Sequence, residues 1–393
     1  MSGPYLEMDL GVVRARYAEL REALPEARVF YAVKANPEPA VLRALAEAGS
    51  GFDVASPGEI ALLDGLAGIP VGCQTGRPPE TGLAGVPAGR QTGRPTHAGF
   101  AGERCYANPV RKPAEVAAAA AAGVRLFVTD SAEDLRVLAA NAPGAAVLVR
   151  IAVDEAGSAT PFGGKFGCAE EEAVRLLQDA ARHGLDPAGV GFHVGSQQTR
   201  PAAWADAIAG AARVAGRAGM PIRLLDVGGG FPVPYREPVP GIAEYAEVIR
   251  DAVRRHFPGR APELAVEPGR LLVAEAGTLH AEVVRVSRRH DGRRWVYLDI
   301  GRYGGLAETE GEAIGYRLAT PHDGGPVGPA VLAGPTCDGD DMLYREVPLP
   351  LALRAGDPVR LLAAGAYTAS YASVGFNGLP PLPVRCTEPV AAR

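Results

Sequence analysis

Between residues 28 and 266, short runs of apolar residues alternate with longer stretches in which apolar positions recur every three or four residues. The first pattern belongs to buried strands and the second to amphipathic helices. The strand-like runs are Phe30-Tyr-Ala-Val33, Phe52-Asp-Val54, Cys105-Tyr-Ala107, Leu126-Phe-Val128, Val147-Leu-Val149, Val190-Gly-Phe192, Leu224-Leu-Asp226 and Leu264-Ala-Val266. Helices are expected between them, at 39–47, 114–122, 131–140, 170–183 and 202–218. The alanine run at 117–122 reads as helix, since alanine is the best helix former. Eight such units with no reversal predict parallel strands closing into a (β/α)8 barrel over residues 11–275. After Leu271 the texture changes. Alternating Val-rich runs at 281–286, 294–298 and 358–362, separated by Gly, Pro and Asp turns, predict a second, mostly antiparallel β domain. It would comprise residues 276–393 together with 1–10.

One segment breaks the alternation. Gln74-Thr-Gly-Arg-Pro78 recurs as Gln91-Thr-Gly-Arg-Pro95, and Gly82-Leu-Ala-Gly85 as Gly99-Phe-Ala-Gly102, each seventeen residues on. This is a tandem duplication within roughly 74–105, read as an insertion at about 71–104. Rich in Gly, Pro and Thr, it has little to bury and is expected as a surface loop on the barrel's N-terminal face. Two copies are too few for a solenoid.

Composition narrows the function. Of 393 residues, 40 are Lys or Arg and 45 Asp or Glu, a formal charge of −5, which argues against coating nucleic acid or anionic membrane. No run approaches the ~18 apolar residues of a membrane span. The N-terminus lacks the basic and apolar regions of a secretory signal, so a cytoplasmic enzyme is expected. Five scattered cysteines without CxxC spacing give no disulfide framework or zinc site, and no metal is expected.

In a barrel of this kind chemistry sits at the C-terminal ends of the strands, and unusual residues gather there. Lys34 follows strand one, Asp53 and Glu59 strand two, Asn108 strand three, Arg150 strand five and His193 strand six. Gly228-Gly-Gly230 follows strand seven and Glu267-Pro-Gly-Arg270 strand eight. Taken alone, Lys34 fits either a lysine snorkelling from a strand end or a desolvated amine able to form a Schiff base. Three glycines let backbone N–H groups approach a phosphate, and Arg270 and the Ser196 hydroxyl suit the same anion. Glu267 is placed to keep a pyridine nitrogen protonated, and His193 to lie flat against such a ring; a satisfied core histidine is the plainer alternative. In the second domain, Gly334-Pro-Thr-Cys-Asp-Gly339 puts a thiol beside a carboxylate. Gly365-Ala-Tyr367 and Phe376-Asn-Gly378 form further loops of aromatic and small residues.

Together these motifs resemble the fold-type III pyridoxal-phosphate decarboxylases, which act on ornithine, lysine, arginine or diaminopimelate. The likeness runs in order through Tyr31-Ala-Val-Lys-Ala-Asn36, Phe52-Asp-Val-Ala-Ser56, His193-Val-Gly-Ser-Gln197, Asp226-Val-Gly-Gly-Gly-Phe231, Glu267-Pro-Gly-Arg270, Gly334-Pro-Thr-Cys-Asp338 and Phe376-Asn-Gly378. It implies an alanine-racemase-like barrel with a β domain, pyridoxal 5′-phosphate as cofactor, and a head-to-tail homodimer with shared sites. By that resemblance Lys34 anchors the cofactor, His193 stacks on its ring and Glu267 meets the ring nitrogen. Ser196, Gly229, Gly230, Arg270 and Tyr367 would hold the phosphate, with Asp53, Glu59 and Arg150 in support. Cys337 would protonate Cα, and Cys337, Asp338 and Phe376 would meet the substrate, the first two from the other subunit. Lys165 and Asp341 would pair across the interface. The Cys337-Asp338 pair points to ornithine, with lysine also accepted, as in the bacterial ornithine/lysine branch. The acid that reaches the distal amine is left among Asp299, Glu308 and Glu310. The alternatives are another free or carrier-bound amino acid, meso-diaminopimelate, or a non-catalytic regulatory homologue.

Overall fold

All eight expected strands are present in the computed structural model, which describes residues 3–66 and 103–388. They are Arg28–Ala32, Gly51–Val54, Arg104–Tyr106, Leu126–Thr129, Ala146–Arg150, Asp186–Gly191, Leu224–Asp226 and Glu263–Val266. Neighbours pair in parallel around a closed barrel, the eighth strand returning to the first with Ala265 opposite Arg28. The duplicated segment lies outside the described residues except at its end. There one boundary needs correcting: Arg104 already belongs to the third strand, so an insertion ending at 104 runs slightly too far.

Side-chain alternation decides what fills the barrel. Phe30, Cys105, Leu126, Leu148, Leu224 and Ala265 belong to one buried cluster in the lumen. Their strand neighbours Tyr31, Val147, Val149, Leu225 and Val266 belong to the separate core beneath the helices. Two residues beyond Leu148, Leu224 and Ala265, the inward face carries Arg150, Asp226 and Glu267. The same period of two therefore produces an apolar plug and, at its C-terminal end, a charged floor.

The helices cover the outside through their apolar faces. Glu170–Arg182 buries Ala173, Leu176, Leu177 and Ala180, the spacing of one helical stripe. Each such leucine contributes roughly 1.5–3 kcal/mol by leaving water. Expected helix limits shift by a residue at the caps. Ser131, for example, is the N-cap of Ala132–Asn141, its hydroxyl accepting from the Asp134 N–H.

Beyond the barrel stands an eight-stranded sheet. Its path runs Arg317–Ala319, Pro358–Leu362, Gly277–Arg288, Arg294–Leu298, Val327–Ala333 and Met342–Pro350. The N-terminal strand Tyr5–Asp9 pairs antiparallel with Gly277–Arg288 and parallel with Val384–Thr387. Gly277 and Gly365 let two chain segments pass closely: a Cβ on Gly277 would lie 2.2 Å from the Gly365 Cα. That passage delivers residues 365–367 to the barrel mouth. Asn36 Nδ2 donates to the Gly365 carbonyl and the Tyr367 N–H to the Ala35 carbonyl, both at 2.8 Å. Among the described residues no helix is long and apolar enough to cross a membrane.

Candidate active site

Lys34 leaves the first strand on a single 3-10 turn, Val33–Ala35, whose apolar members are buried while the lysine points into the barrel mouth. Its Nζ lies 2.7 Å from Oδ2 of Asp53, which is 1% exposed on the second strand. Burial disfavours the ammonium, but Asp53, Tyr367 and Glu267 outweigh it and raise its pKa above the ordinary lysine value. The amine is therefore not merely desolvated: the Asp53 carboxylate beside it favours the ammonium form.

Opposite lies an acidic pair. Asp226 and Glu267 face each other closely enough to couple, and burial pushes Asp226 up to about 6. Burial first, then the charges of Asp226 and Asp53, hold Glu267 well above the usual carboxylate range. Asp226 is fixed by the Gly228 N–H, donated to Oδ1 at 2.9 Å. Asp53 Oδ1, Asp226 Oδ2 and Glu267 Oε1 are buried without a hydrogen-bond partner. Such orphans call for a donor.

His193 follows the sixth strand. The Gly195 N–H donates to its Nδ1 at 3.1 Å, leaving the ring proton on Nε2. Burial, then the Arg150 and Lys34 cations, push its pKa well below the ordinary value, so the ring is neutral. Phe162 packs nearly perpendicular to it, 4.8 Å between centroids, and the Arg150 guanidinium lies over Phe162 and Phe166.

The glycine turn has no room for side chains. Gly228 and Gly230 have φ of +69° and +92°. A Cβ on Gly229 would lie 2.3 Å from the Glu267 carbonyl, and one on Gly230 2.2 Å from that of Gly195. Beside this turn Arg270, 4% exposed, donates to Ser196 Oγ at 3.2 Å and lies under the Tyr367 ring, 5.0 Å away. The group suggested by these residues fits on two counts: a buried arginine whose Nε has no partner, and orphaned carboxylate oxygens. Lys34, Asp53, Arg150, His193, Ser196, Gly229, Gly230, Glu267, Arg270 and Tyr367 thus gather at one mouth. Glu59, on the helix Pro57–Leu66, stands behind Asp53 and accepts from the Ala55 N–H at 2.7 Å. Asn108 donates to the Ala55 carbonyl, supporting the same loop.

Cys337, Asp338 and Phe376 form a different group. Cys337 is exposed, its thiol 3.5 Å from the Asn377 amide oxygen. Asp338 accepts from the Tyr303 hydroxyl, and Tyr303 packs on Phe376, 4.4 Å between centroids. These contacts lie among the loops of the second sheet, and none of them is with Lys34.

Two expectations change. Asp341 is 3% exposed, and its oxygens accept from the Arg302 N–H and from the Thr336 N–H and hydroxyl. It clasps its own loop, so the expected Lys165–Asp341 pair gains no support. Of the candidate acids, Asp299 caps the Glu282 N–H, Glu310 pairs with Arg302, and Glu308 grips Arg270. Missed altogether were Asp226, Tyr235 and Phe162. Asp226 was visible as a charge ending a strand before three glycines; Tyr235 and Phe162 gave no comparable signal.

A family model described as the pyridoxal-binding domain of pyridoxal-dependent decarboxylases matches residues 10–72 and 95–274. The break between them falls inside the duplicated segment. The chain is 36% identical over 379 residues to a lysine/ornithine decarboxylase of Selenomonas ruminantium, covering 95% of this chain and 87% of that one. It is 32% identical to antizyme inhibitor 2 of Xenopus laevis, covering 98% and 81%. Among solved structures, the lysine/ornithine decarboxylase of Vibrio vulnificus complexed with putrescine superposes with a TM-score of 0.80 at 30% identity, covering 98% of this chain and 95% of that one.

Proposed function

The chain belongs to the pyridoxal-dependent decarboxylases, with pyridoxal phosphate as cofactor, and on that premise we propose that it converts L-ornithine to putrescine and also accepts L-lysine. The observation that carries the choice is Asp338, an exposed carboxylate next to the Cys337 thiol. A side chain ending in a bare ammonium needs a counter-charge there and no arginine clamp. The relatives named for lysine and ornithine support the same reading.

When bound, the cofactor supplies the electron sink that makes loss of CO2 from the α-carbon feasible. This chain's residues do the rest. Lys34 provides the amine that anchors it, with Asp53 orienting that amine and holding its proton at Nζ until transfer. Glu267 offers the ring nitrogen a buried carboxyl, and the unpartnered Oε1 is the atom available for it. His193 presents a neutral imidazole face. The glycine-turn N–H groups, Ser196, Arg270 and Tyr367 hold the phosphate. Cys337 hands a proton to Cα after CO2 leaves, which completes decarboxylation.

Cys337 and Asp338 stand apart from Lys34 in one chain. We therefore assign them to the site of a second copy in a homodimer with shared sites. The resemblance to an inhibitor admits a non-catalytic reading, but Lys34, His193, Glu267 and Cys337 are all retained. The test is CO2 release from L-ornithine, L-lysine, L-arginine and meso-diaminopimelate with added pyridoxal phosphate. Highest kcat/KM for ornithine, with lysine second, is expected; preference for diaminopimelate or arginine would overturn the substrate, and silence on all four would favour a carrier-bound substrate or the non-catalytic reading.

A further inference from the structure

Arg270 is unusually well occupied for a residue assigned to an anion. A guanidinium has five N–H donors on three edges of one plane. Its end edge, Nη1 and Nη2 together, meets both oxygens of Glu308 at 2.8 and 2.6 Å. The remaining Nη1 hydrogen goes to the Tyr235 hydroxyl at 2.7 Å. The remaining Nη2 hydrogen goes to Ser196 Oγ at 3.2 Å. Nε alone is buried with no partner.

The position of that free donor is informative. In a guanidinium the Nε hydrogen and one Nη2 hydrogen are parallel on the same edge, a fork that suits two oxygens of one anion. Here the Nη2 member of that fork already faces Ser196. Ser196 follows Gly195, whose carbonyl lies against Gly230 of the glycine turn. Arg270 is therefore held by its end and by its Tyr235 edge, and the only edge with a spare donor faces the phosphate cradle. Glu308 is well placed for this work: it is 11% exposed, on the turn Ala307–Glu312 that follows the second sheet's strand Arg294–Leu298.

We infer that Glu308 is a positioning residue: it fixes the Arg270 guanidinium so that the Nε edge is presented to the cofactor phosphate beside Ser196. Its charge is already matched by Arg270, which leaves it a poor counter-charge for the distal amine of the substrate. The turn 307–312 of the β domain thereby contributes to cofactor retention without touching the cofactor. A buried ion pair with this geometry costs more to break than to keep, since removing one partner strands the other charge.

The test separates the phosphate from the rest of the cofactor. Apoprotein is titrated with pyridoxal phosphate and with pyridoxal, following the change in absorbance and protein fluorescence, for wild type, Glu308→Ala, Glu308→Gln, Arg270→Ala and Arg270→Ala/Glu308→Ala. Loss of a charge-assisted bidentate bond should weaken pyridoxal phosphate by about ten- to a hundredfold in Glu308→Ala. Affinity for pyridoxal should stay unchanged, which a general loss of structure would not allow. In the Arg270→Ala background the second substitution should cost nothing more. Should Glu308→Ala fail to fold, Glu308→Gln answers the same question. Equal weakening of both ligands, tighter binding of pyridoxal phosphate, or an additive double variant would overturn the inference. It rests on the assignment of Arg270 to the phosphate. Arg270→Ala that leaves the preference for the phosphorylated ligand intact overturns that assignment separately.

Discussion

Lys34 Nζ and Asp53 Oδ2 are 2.7 Å apart, the lysine on the turn that follows the first strand and the carboxylate buried on the second, at the barrel's charged end. The pair explains why an ammonium is stable here and what must be displaced when the amine reacts. Asp53→Ala removes a charge-assisted hydrogen bond worth about 1.5–3 kcal/mol. Without that carboxylate, burial lowers the Lys34 pKa and a larger share of the amine is neutral, so faster cofactor attachment is the expected outcome, measured by stopped-flow absorbance. Attachment at the wild-type rate would mean that Asp53 neither holds nor orients the amine.

Glu59 should set the pH dependence of the apoprotein. Burial pushes its carboxyl up to about 7, against an ordinary 4.5. A group raised in the folded state binds its proton more tightly there, so its stabilising contribution is full below about 4.5 and is lost as pH rises through 7. Glu59→Gln lacks that titration. The Tm of wild type minus that of Glu59→Gln should therefore fall steadily between pH 4.5 and pH 8. A difference that is flat across this range would refute the raised carboxyl.

Gly230 takes a left-handed φ and has a carbonyl where its Cβ would go. Gly230→Ala should cost about 1–3 kcal/mol in backbone strain and displace the turn. Apoprotein melting and affinity for inorganic phosphate both report on this. An alanine that binds phosphate as wild type does would remove the turn from the cradle.

Shared sites have a direct consequence. Lys34→Ala and Cys337→Ala should each be inactive, yet a mixture allowed to exchange subunits should regain activity, at best about a quarter of wild type by random pairing. One hybrid site would carry both intact residues. No recovery, with exchange verified by differently tagged copies, would place Cys337 outside the partner's site.

The barrel was legible in the chain because its strands are apolar on both faces and its helices on one. Those are different periods, and burial enforces both. The site was legible where chemistry needs a rare residue at a strand end, as at Lys34, Glu267 and the three glycines. Asp226 escaped because its partnership with Glu267 joins strands forty residues apart, and a single strand shows only one member. Glu308 is visible in the sequence as an acid, but its pairing with Arg270 is not. Nothing local marks which of several acids on a turn folds back onto Arg270. The contacts of Asp341 were hidden for a similar reason: the spacing of Thr336, Asp341 and Arg302 does not show that they close one loop.

The most direct measurement is the joint yield of CO2 and putrescine from L-ornithine by purified protein with pyridoxal phosphate, beside Lys34→Ala. Equal amounts of both products from the wild type, and neither from the variant, are expected. Bound cofactor with no CO2 from the wild type, or undiminished CO2 from Lys34→Ala, would contradict the claim that this site decarboxylates a basic amino acid through Lys34.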